Sequence, residues 1–412
     1  MKFGVNYTPR VGWFHSWLDF EPQQVRDDFA AIKEIGADHV RIFPLWPILQ
    51  PNRTLIRSSA IDDVVQTVQI AGEFGLKASV DVLQGHLSSF DFVPAWALSW
   101  HRRNMFTNPD VVSGEVNLVA ELARALRGLD NTTGLTVGNE FIQFAAERHP
   151  DPDIISEDEA AVWLETLLAK AREEWPDGEH VHCHDDDLWF ENSQPFTPSI
   201  GANIGDLTTV HSWVFGRIGP RFGKDTPQLP WFGRYLVELA HAWNPGRRVW
   251  LQEIGAPDNY VSEHLAPEFL LQTVGNLMGE NGGGVAPGLE AITWWCSHDV
   301  SRELSDFPPL EHTLGLIDQN GNPKPIGDAF AHSATQWRDK RYEPTSRESV
   351  TFGDSPWKRS ETDATGKLFD RWIEAAMSGN VLAIELNQTT YVKDLERSFN
   401  KLEKASFLST TA

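Results

Sequence analysis

The chain has 412 residues, 41% of them hydrophobic and 23% charged, which rules out a disordered or fibrous protein and allows one large core plus a smaller appendage. A formal net charge of -23 argues against nucleic acid and anionic membrane as partners, because phosphate binding needs a basic surface. A neutral or cationic ligand fits that balance better.

The N-terminal residues lead directly into the strand-like Phe3-Gly4-Val5-Asn6-Tyr7, with no apolar run long enough for a signal peptide or a membrane helix. A cytoplasmic location is therefore expected. Further strand-like runs lie near 38–44, 76–82, 135–139, 180–184, 207–211, 248–253 and 290–295. Between them the apolar residues recur at helical spacing: Val25, Phe29, Ile32 and Ile35 in the first segment, Ile61, Val64, Val65, Val68 and Ala71 in the second. Punctuation agrees, since Glu21-Pro22 opens the first helix and Gly36 closes it, while Ser58-Ser59 precede the second and Gly75 ends it.

About eight strand–helix units with near-continuous apolar strands predict parallel strands buried on both faces, as in a (β/α)8 TIM barrel. A doubly wound open sheet is the alternative. Helix-to-strand connections such as Ile35-Gly36-Ala37 are tight, whereas strand-to-helix connections near 83–110, 184–206, 211–230 and 296–322 are long. That asymmetry favours the barrel, in which the long loops at the strand C-termini build the active site. Those loops carry Gln84, His86, Trp96, Trp100, His101, Asp185, Asp186, Asp187, Trp189, Trp213, Trp231 and His298. The 17 Trp of the chain could supply sugar or cation platforms, or fill the core.

Beyond 341 the pattern breaks into a polar stretch and two helix-like pieces, 364–378 and 391–404, around Val381-Leu382-Ala383-Ile384. We divide the chain into a barrel over 1–341 and a C-terminal extension over 342–412, either packed on the barrel or used as an oligomer contact. The sequence leaves the oligomeric state open.

Two strands end on a carboxylate. Leu135-Thr136-Val137-Gly138 runs into Asn139-Glu140, and Arg248-Val249-Trp250-Leu251-Gln252 runs into Glu253. Taken singly, Asn139-Glu140 could just as well cap the next helix. As the ends of the fourth and seventh strands of one barrel, the two acids point into the same mouth, as a paired acid/base site requires. His182-Cys183-His184-Asp185-Asp186-Asp187 suggests a metal, since His at i and i+2 of a strand share a face. The first strand supplies no further ligand, so we assign no metal and no cofactor, and read the acidic triplet as a sugar-hydroxyl site or a solvated loop. Cys183 and Cys296 are expected to be free thiols.

With Arg41 on the second strand and a Trp ending the eighth, residues 1–340 resemble the clan of retaining glycosidases that includes glycoside hydrolase family 5. Gly4-Val5-Asn6-Tyr7-Thr8-Pro9, Gly12-Trp13-Phe14-His15-Ser16-Trp17 and His39-Val40-Arg41-Ile42-Phe43-Pro44-Leu45-Trp46-Pro47 are most similar to its subfamily 18, β-mannosidases acting on the mannosyl-β-1,4-N-acetylglucosamine unit of N-glycan cores. The resemblance implies Glu140 as general acid/base and Glu253 as nucleophile. Glu253 would be held ionised over Arg41, and Glu140 kept protonated by the neighbouring anion. Arg41 could otherwise be only a structural ion pair of the barrel. The resemblance further implies that Asn139 contacts the sugar 2-hydroxyl, that His211 supports the acid/base, and that Trp295 floors the glycone subsite, leaving Trp294 to the helix layer.

Two strands depart from the family pattern. The sixth reads His211-Ser212-Trp213 where relatives have His-X-Tyr, so another donor replaces that tyrosine or Trp213 serves as a sugar platform. The third ends Asp81-Val82-Leu83-Gln84-Gly85-His86, where Gln84 and His86 either bind hydroxyls or order the loop. The expectation is a retaining exo-β-mannosidase on a small imported oligosaccharide, with Asp185 also at the substrate. An endo-β-mannanase or endoglucanase is the alternative enzyme, and a non-catalytic carbohydrate-binding barrel the alternative class.

Overall fold

The computed structural model describes residues 1–98, 103–353 and 358–387; Trp100, His101 and the expected helix over 391–404 lie outside them. Seven parallel strands form one curled sheet: Lys2–Asn6, His39–Ile42, Lys77–Leu83, Thr132–Gly138, Thr208–Ser212, Val249–Ile254 and Leu289–Trp294. Starting from Thr132–Gly138 the order runs back through the third, second and first strands, then to Leu289–Trp294, Val249–Ile254 and Thr208–Ser212. The expected strand at 180–184 fills the gap, but only as an isolated parallel bridge between Thr136 and Val181. The architecture is the (β/α)8 barrel.

Local chemistry explains why that fifth strand is so reduced. The Val137 N–H donates to Val181 O (2.8 Å) and the Val181 N–H to Leu135 O (2.9 Å), but the Leu135 N–H is taken by His180 Nδ1 (3.3 Å). Gly134 admits the Glu179 carbonyl where a Cβ would collide with it. On the other flank the Thr209 hydroxyl donates to His182 O (2.6 Å) and the Asp206 N–H to His180 O (2.9 Å), so side chains and a loop replace the ladder.

The helices follow the punctuation. Pro22–Glu34 opens on its proline and stops before Gly36 (φ 81°), and Ser58–Glu73 stops before Gly75 (φ 68°). Asn108 caps Pro109–Leu126, and Ser156 with Glu159 forms a capping box on Glu157–Glu174. Strand side chains are buried on both faces, as expected when helices cover the whole sheet.

Within the extension, Ser349–Phe352 pairs in parallel with Ala383–Leu386, and helix Lys367–Met377 packs on the barrel helix Phe232–Trp243. Tyr235 stands edge-on to Phe369 (4.8 Å) and Trp372 (5.1 Å). Arg347 pairs with buried Glu238 at 2.6 Å, and the Tyr235 hydroxyl donates to Thr362 O at 2.5 Å. Apolar residues of the extension thus continue the barrel core.

Candidate active site

Glu140 follows the fourth strand in a left-handed conformation (φ 47°, ψ 37°), which costs a non-glycine residue on the order of 1–3 kcal/mol. Its side chain makes no capping bond, so the helix-cap reading does not hold. Gly138 makes the turn possible, because the Phe141 ring occupies the space its Cβ would need. The carboxyl reaches across the mouth to His211 Nδ1 at 2.7 Å.

Glu253 ends the seventh-position strand. Its Oε1 accepts from Arg41 Nη1 (2.7 Å), and its Oε2 lies 3.3 Å from His211 Nδ1 and 3.4 Å from the Trp213 indole N–H. Oxygens of the two acids lie within 4.8 Å of each other. In a strand that reads His-Ser-Trp, the Trp213 N–H is thus a donor to Glu253.

Arg41 is fully buried and does more than pair structurally. Nε and Nη2 grip both oxygens of Asp81 (2.8 and 2.7 Å), Nη2 also meets Asn139 Oδ1 (2.6 Å) and Cys183 Sγ (3.1 Å), and Nη1 reaches Asn6 Oδ1 (3.3 Å) as well as Glu253. Burial opposes its charge, but Asp81, Cys183 and Glu253 outweigh that and hold it firmly protonated.

Burial sets both carboxyls. It lifts Glu140 to about 7, with the Asp185 charge adding to the rise and His86, Arg41 and Arg148 opposing it. Glu253 is also raised, chiefly by burial and further by the neighbouring Glu140 charge, against the expectation of a purely donor-held anion; His211 and Arg41 counter that rise. Only Glu253 touches a guanidinium, so it is the acid better placed to carry the charge. Burial lowers the proton affinity of His211, with the Glu253 charge working against it.

Other expected site residues divide. Asn139 spends Oδ1 on Arg41 and one amide hydrogen on His86 O (3.0 Å), leaving one hydrogen for a ligand. Trp295 is buried at the mouth, 5.7 Å from Phe43 and 6.4 Å from Trp213 between ring centres. Gln84 is buried, donates to His86 O (3.0 Å), and leaves its Oε1 unpartnered. His86 bonds Asp91 at 3.0 Å across the hairpin His86–Leu87/Phe90–Asp91, which fits loop ordering.

The acidic triplet is not a solvated loop. Asp185, Asp186 and Asp187 are all buried; Asp185 accepts from Gln143 and Arg148, and Asp187 from Arg148 and Arg217. Arg217 also pairs with Asp363, tying the extension to this loop. Of the adjoining histidines, His182 bonds Ile204 O at 3.1 Å and its ring lies tilted 4.8 Å from that of His184. Both cysteines are buried free thiols.

Four residues escaped the sequence reading: Asp81, Gln252, Thr136 and Glu311. Asp81 had a signal, being a carboxylate inside an apolar strand facing the same way as Ser79. Gln252 and Thr136 did not, because polar residues in a strand name no partner. They meet through Gln252 Nε2 and Thr136 Oγ1 at 3.1 Å, while Gln252 Oε1 faces His211 Nε2 at 3.4 Å.

One side of the mouth is walled by aromatic rings from the loops after the first, second, third and eighth strands. Phe307 packs on Phe90 (4.8 Å) and Trp13 (4.2 Å), and Phe14 meets Phe43 at 5.8 Å.

Neither sequence-family models nor curated proteins match the chain. Among solved structures, a subfamily 18 enzyme of glycoside hydrolase family 5 from Streptomyces cattleya, an alanine variant in complex with mannosyl-β-1,4-N-acetylglucosamine, is 43% identical over 96% of each chain, with a TM-score of 0.89. The chain belongs to glycoside hydrolase family 5, subfamily 18. It is a glycoside hydrolase. A second subfamily 18 enzyme, from Bifidobacterium longum subsp. longum and bound to the same disaccharide, is 40% identical over 97% of this chain and 94% of its own, with a TM-score of 0.88. An exo-β-1,4-mannosidase from an Opitutaceae bacterium shares the fold at 19% identity and a TM-score of 0.76, covering 94% of this chain and 69% of its own.

Proposed function

We propose that this subfamily 18 enzyme is a retaining exo-β-mannosidase that removes terminal mannose from short β-mannosides such as mannosyl-β-1,4-N-acetylglucosamine. The observation that carries the reading is the approach of Glu140 and Glu253 around one imidazole, with oxygens within 4.8 Å. Retaining glycosidases need carboxyls about 5–5.5 Å apart, whereas inverting ones leave room for a water between them at about 6.5–9.5 Å.

In this reading Glu253 attacks the anomeric carbon and forms a glycosyl-enzyme while protonated Glu140 gives its proton to the leaving oxygen. Glu140 then takes a proton from the water that releases mannose. Arg41 and Trp213 hold the Glu253 anion in place, His211 positions Glu140, and the spare amide hydrogen of Asn139 meets the 2-hydroxyl as positive charge develops on the ring. Trp295 floors the subsite.

Exo action is supported by the aromatic wall, whose rings from four loops pack on one another along one side of the mouth. The disaccharide bound by the two relatives supports mannose as that glycone. No helix among the described residues is long and apolar enough to cross a membrane, and we propose that the enzyme acts in the cytoplasm on an imported N-glycan fragment.

Incubation with mannosyl-β-1,4-N-acetylglucosamine and with polymeric mannan, followed by proton NMR of the first product, tests the reading. It predicts β-mannose as the initial anomer and no internal cuts. Initial α-mannose, or shortening of mannan from within, would replace it with an inverting or an endo-acting enzyme.

A further inference from the structure

A third carboxyl faces the mouth without a role in the double displacement. Glu311 lies in the 3-10 turn Pro309–His312 of the loop after the eighth strand. Its backbone is fixed, the N–H donating to Pro308 O (3.0 Å) and the carbonyl accepting from Val300 (3.2 Å). The side chain is buried, yet Oε2 has no partner, and neither has the Trp295 indole N–H nor the Ser88 hydroxyl.

Glu311 and Trp295 come from the two ends of the loop after the eighth strand and Ser88 from the hairpin after the third, and the three converge. The Ser88 hydroxyl and the Trp295 N–H both favour the Glu311 anion without reaching hydrogen-bond geometry, while burial and the charge of Glu253 disfavour it, lifting the group to about 7. Ser88 is carried by the hairpin His86–Leu87/Phe90–Asp91, whose two tip residues both have positive φ (50° and 68°). The hairpin is held at its base by Asp91, which meets His86 and His149 at 3.0 Å each, and at its side by Phe90 on Phe307. A buried polar atom with no partner is costly, and rigid loops that present one acceptor and two donors to the same space form a site for hydroxyl groups.

Resting on the exo-mannosidase reading, we propose that Glu311 is a substrate-binding carboxylate for the hydroxyls on the ring edge remote from the scissile bond. Trp295 and Ser88 flank it. Recognition by Glu311 requires those hydroxyls to be unsubstituted, so it adds a polar check on the sugar terminus to the steric one of the aromatic wall. Because a hydrogen-bonding site left unpaired rejects its ligand strongly, the effect falls on discrimination between sugars as well as on affinity.

The test is a cycle between variant and substrate. Wild type, Glu311→Gln and Glu311→Ala, each checked for an unchanged thermal midpoint, are assayed on an aryl β-mannoside and on its 3-deoxy and 4-deoxy analogues. Wild type should lose roughly 10²-fold in kcat/KM on at least one deoxy analogue, and Glu311→Ala roughly 10²-fold on the parent, with little further loss on that analogue. Equal deoxy penalties in wild type and both variants, or a folded Glu311→Gln within twofold of wild type on every substrate, would overturn the proposal. Wild type inert on the β-mannoside but active on another aryl β-glycoside would instead overturn the mannosidase reading, and the same cycle on that glycoside still decides Glu311.

Discussion

His211 Nδ1 lies 2.7 Å from Glu140 Oε1 and 3.3 Å from Glu253 Oε2, so one ring nitrogen touches both acids. The tautomer of that ring decides which acid carries the proton. Gln252 Nε2 donates to the Thr136 hydroxyl, which turns Gln252 Oε1 toward His211 Nε2. With its hydrogen on Nε2, neutral His211 offers Nδ1 as an acceptor, and the 2.7 Å contact is then satisfied by a protonated Glu140.

Replacing Gln252 by Met should break this arrangement while keeping its volume. The proton of His211 then shifts toward Nδ1 and favours the Glu140 anion. The alkaline limb of kcat/KM should move down by about one pH unit, kcat should fall about tenfold, and the unpaired groups should cost about 1–3 kcal/mol. A pH–rate profile beside a urea melt checks it, because a purely structural role for Gln252 would lower stability and leave the limb in place.

Glu140 sits at about 7 in the fold against an ordinary 4.5. A group raised by folding contributes stability that is fully present below its unfolded value and lost as pH rises through its folded value, here between about 4.5 and 7. Glu140→Gln, which is never charged, should match wild type near pH 4.5 and be more stable by about 1–2 kcal/mol above pH 7, the smaller figure allowing for a side chain 14% exposed. Thermal midpoints across pH 4.5–8 measure the gap; a gap that is constant with pH would mean that Glu140 is not the buried acid.

Removing the nucleophile separates the two acids kinetically. Glu253→Ala should lose on the order of 10⁴ or more in kcat on an aryl β-mannoside and yield α-mannosyl azide when azide is added. Glu140→Ala should be impaired least on substrates whose leaving group needs no proton, and should yield the β-azide. Wild-type activity in Glu253→Ala would remove it from the nucleophile role.

Arg41→Met leaves Asp81 and Glu253 buried without their cation. Breaking a buried ion pair from one side costs about 3–5 kcal/mol, so the variant should unfold at much lower denaturant. Arg41→Lys keeps the charge but cannot grip Asp81 with two parallel bonds, and should recover only part of the loss. A urea midpoint for Arg41→Met equal to wild type would contradict the network.

The sequence by itself determined the barrel, its one-sided long loops and the two strand-terminal acids. These rest on strand–helix periodicity and on glycine and proline punctuation, which act over a few residues. Arg41, Asn139, His211 and Trp295 were instead implied by the resemblance to family 5, which matches them at the ends of their strands. Only the tertiary structure decided that Trp213 donates to Glu253, that the Asp185 charge joins burial in lifting Glu140, and that Gln252 and Thr136 reach His211 through space. It also reduced the fifth strand to one bridge and buried an acidic triplet that could have been solvated. Proton affinity depends on desolvation and on charges a few ångströms away, and residues from different strands become neighbours only when the barrel closes.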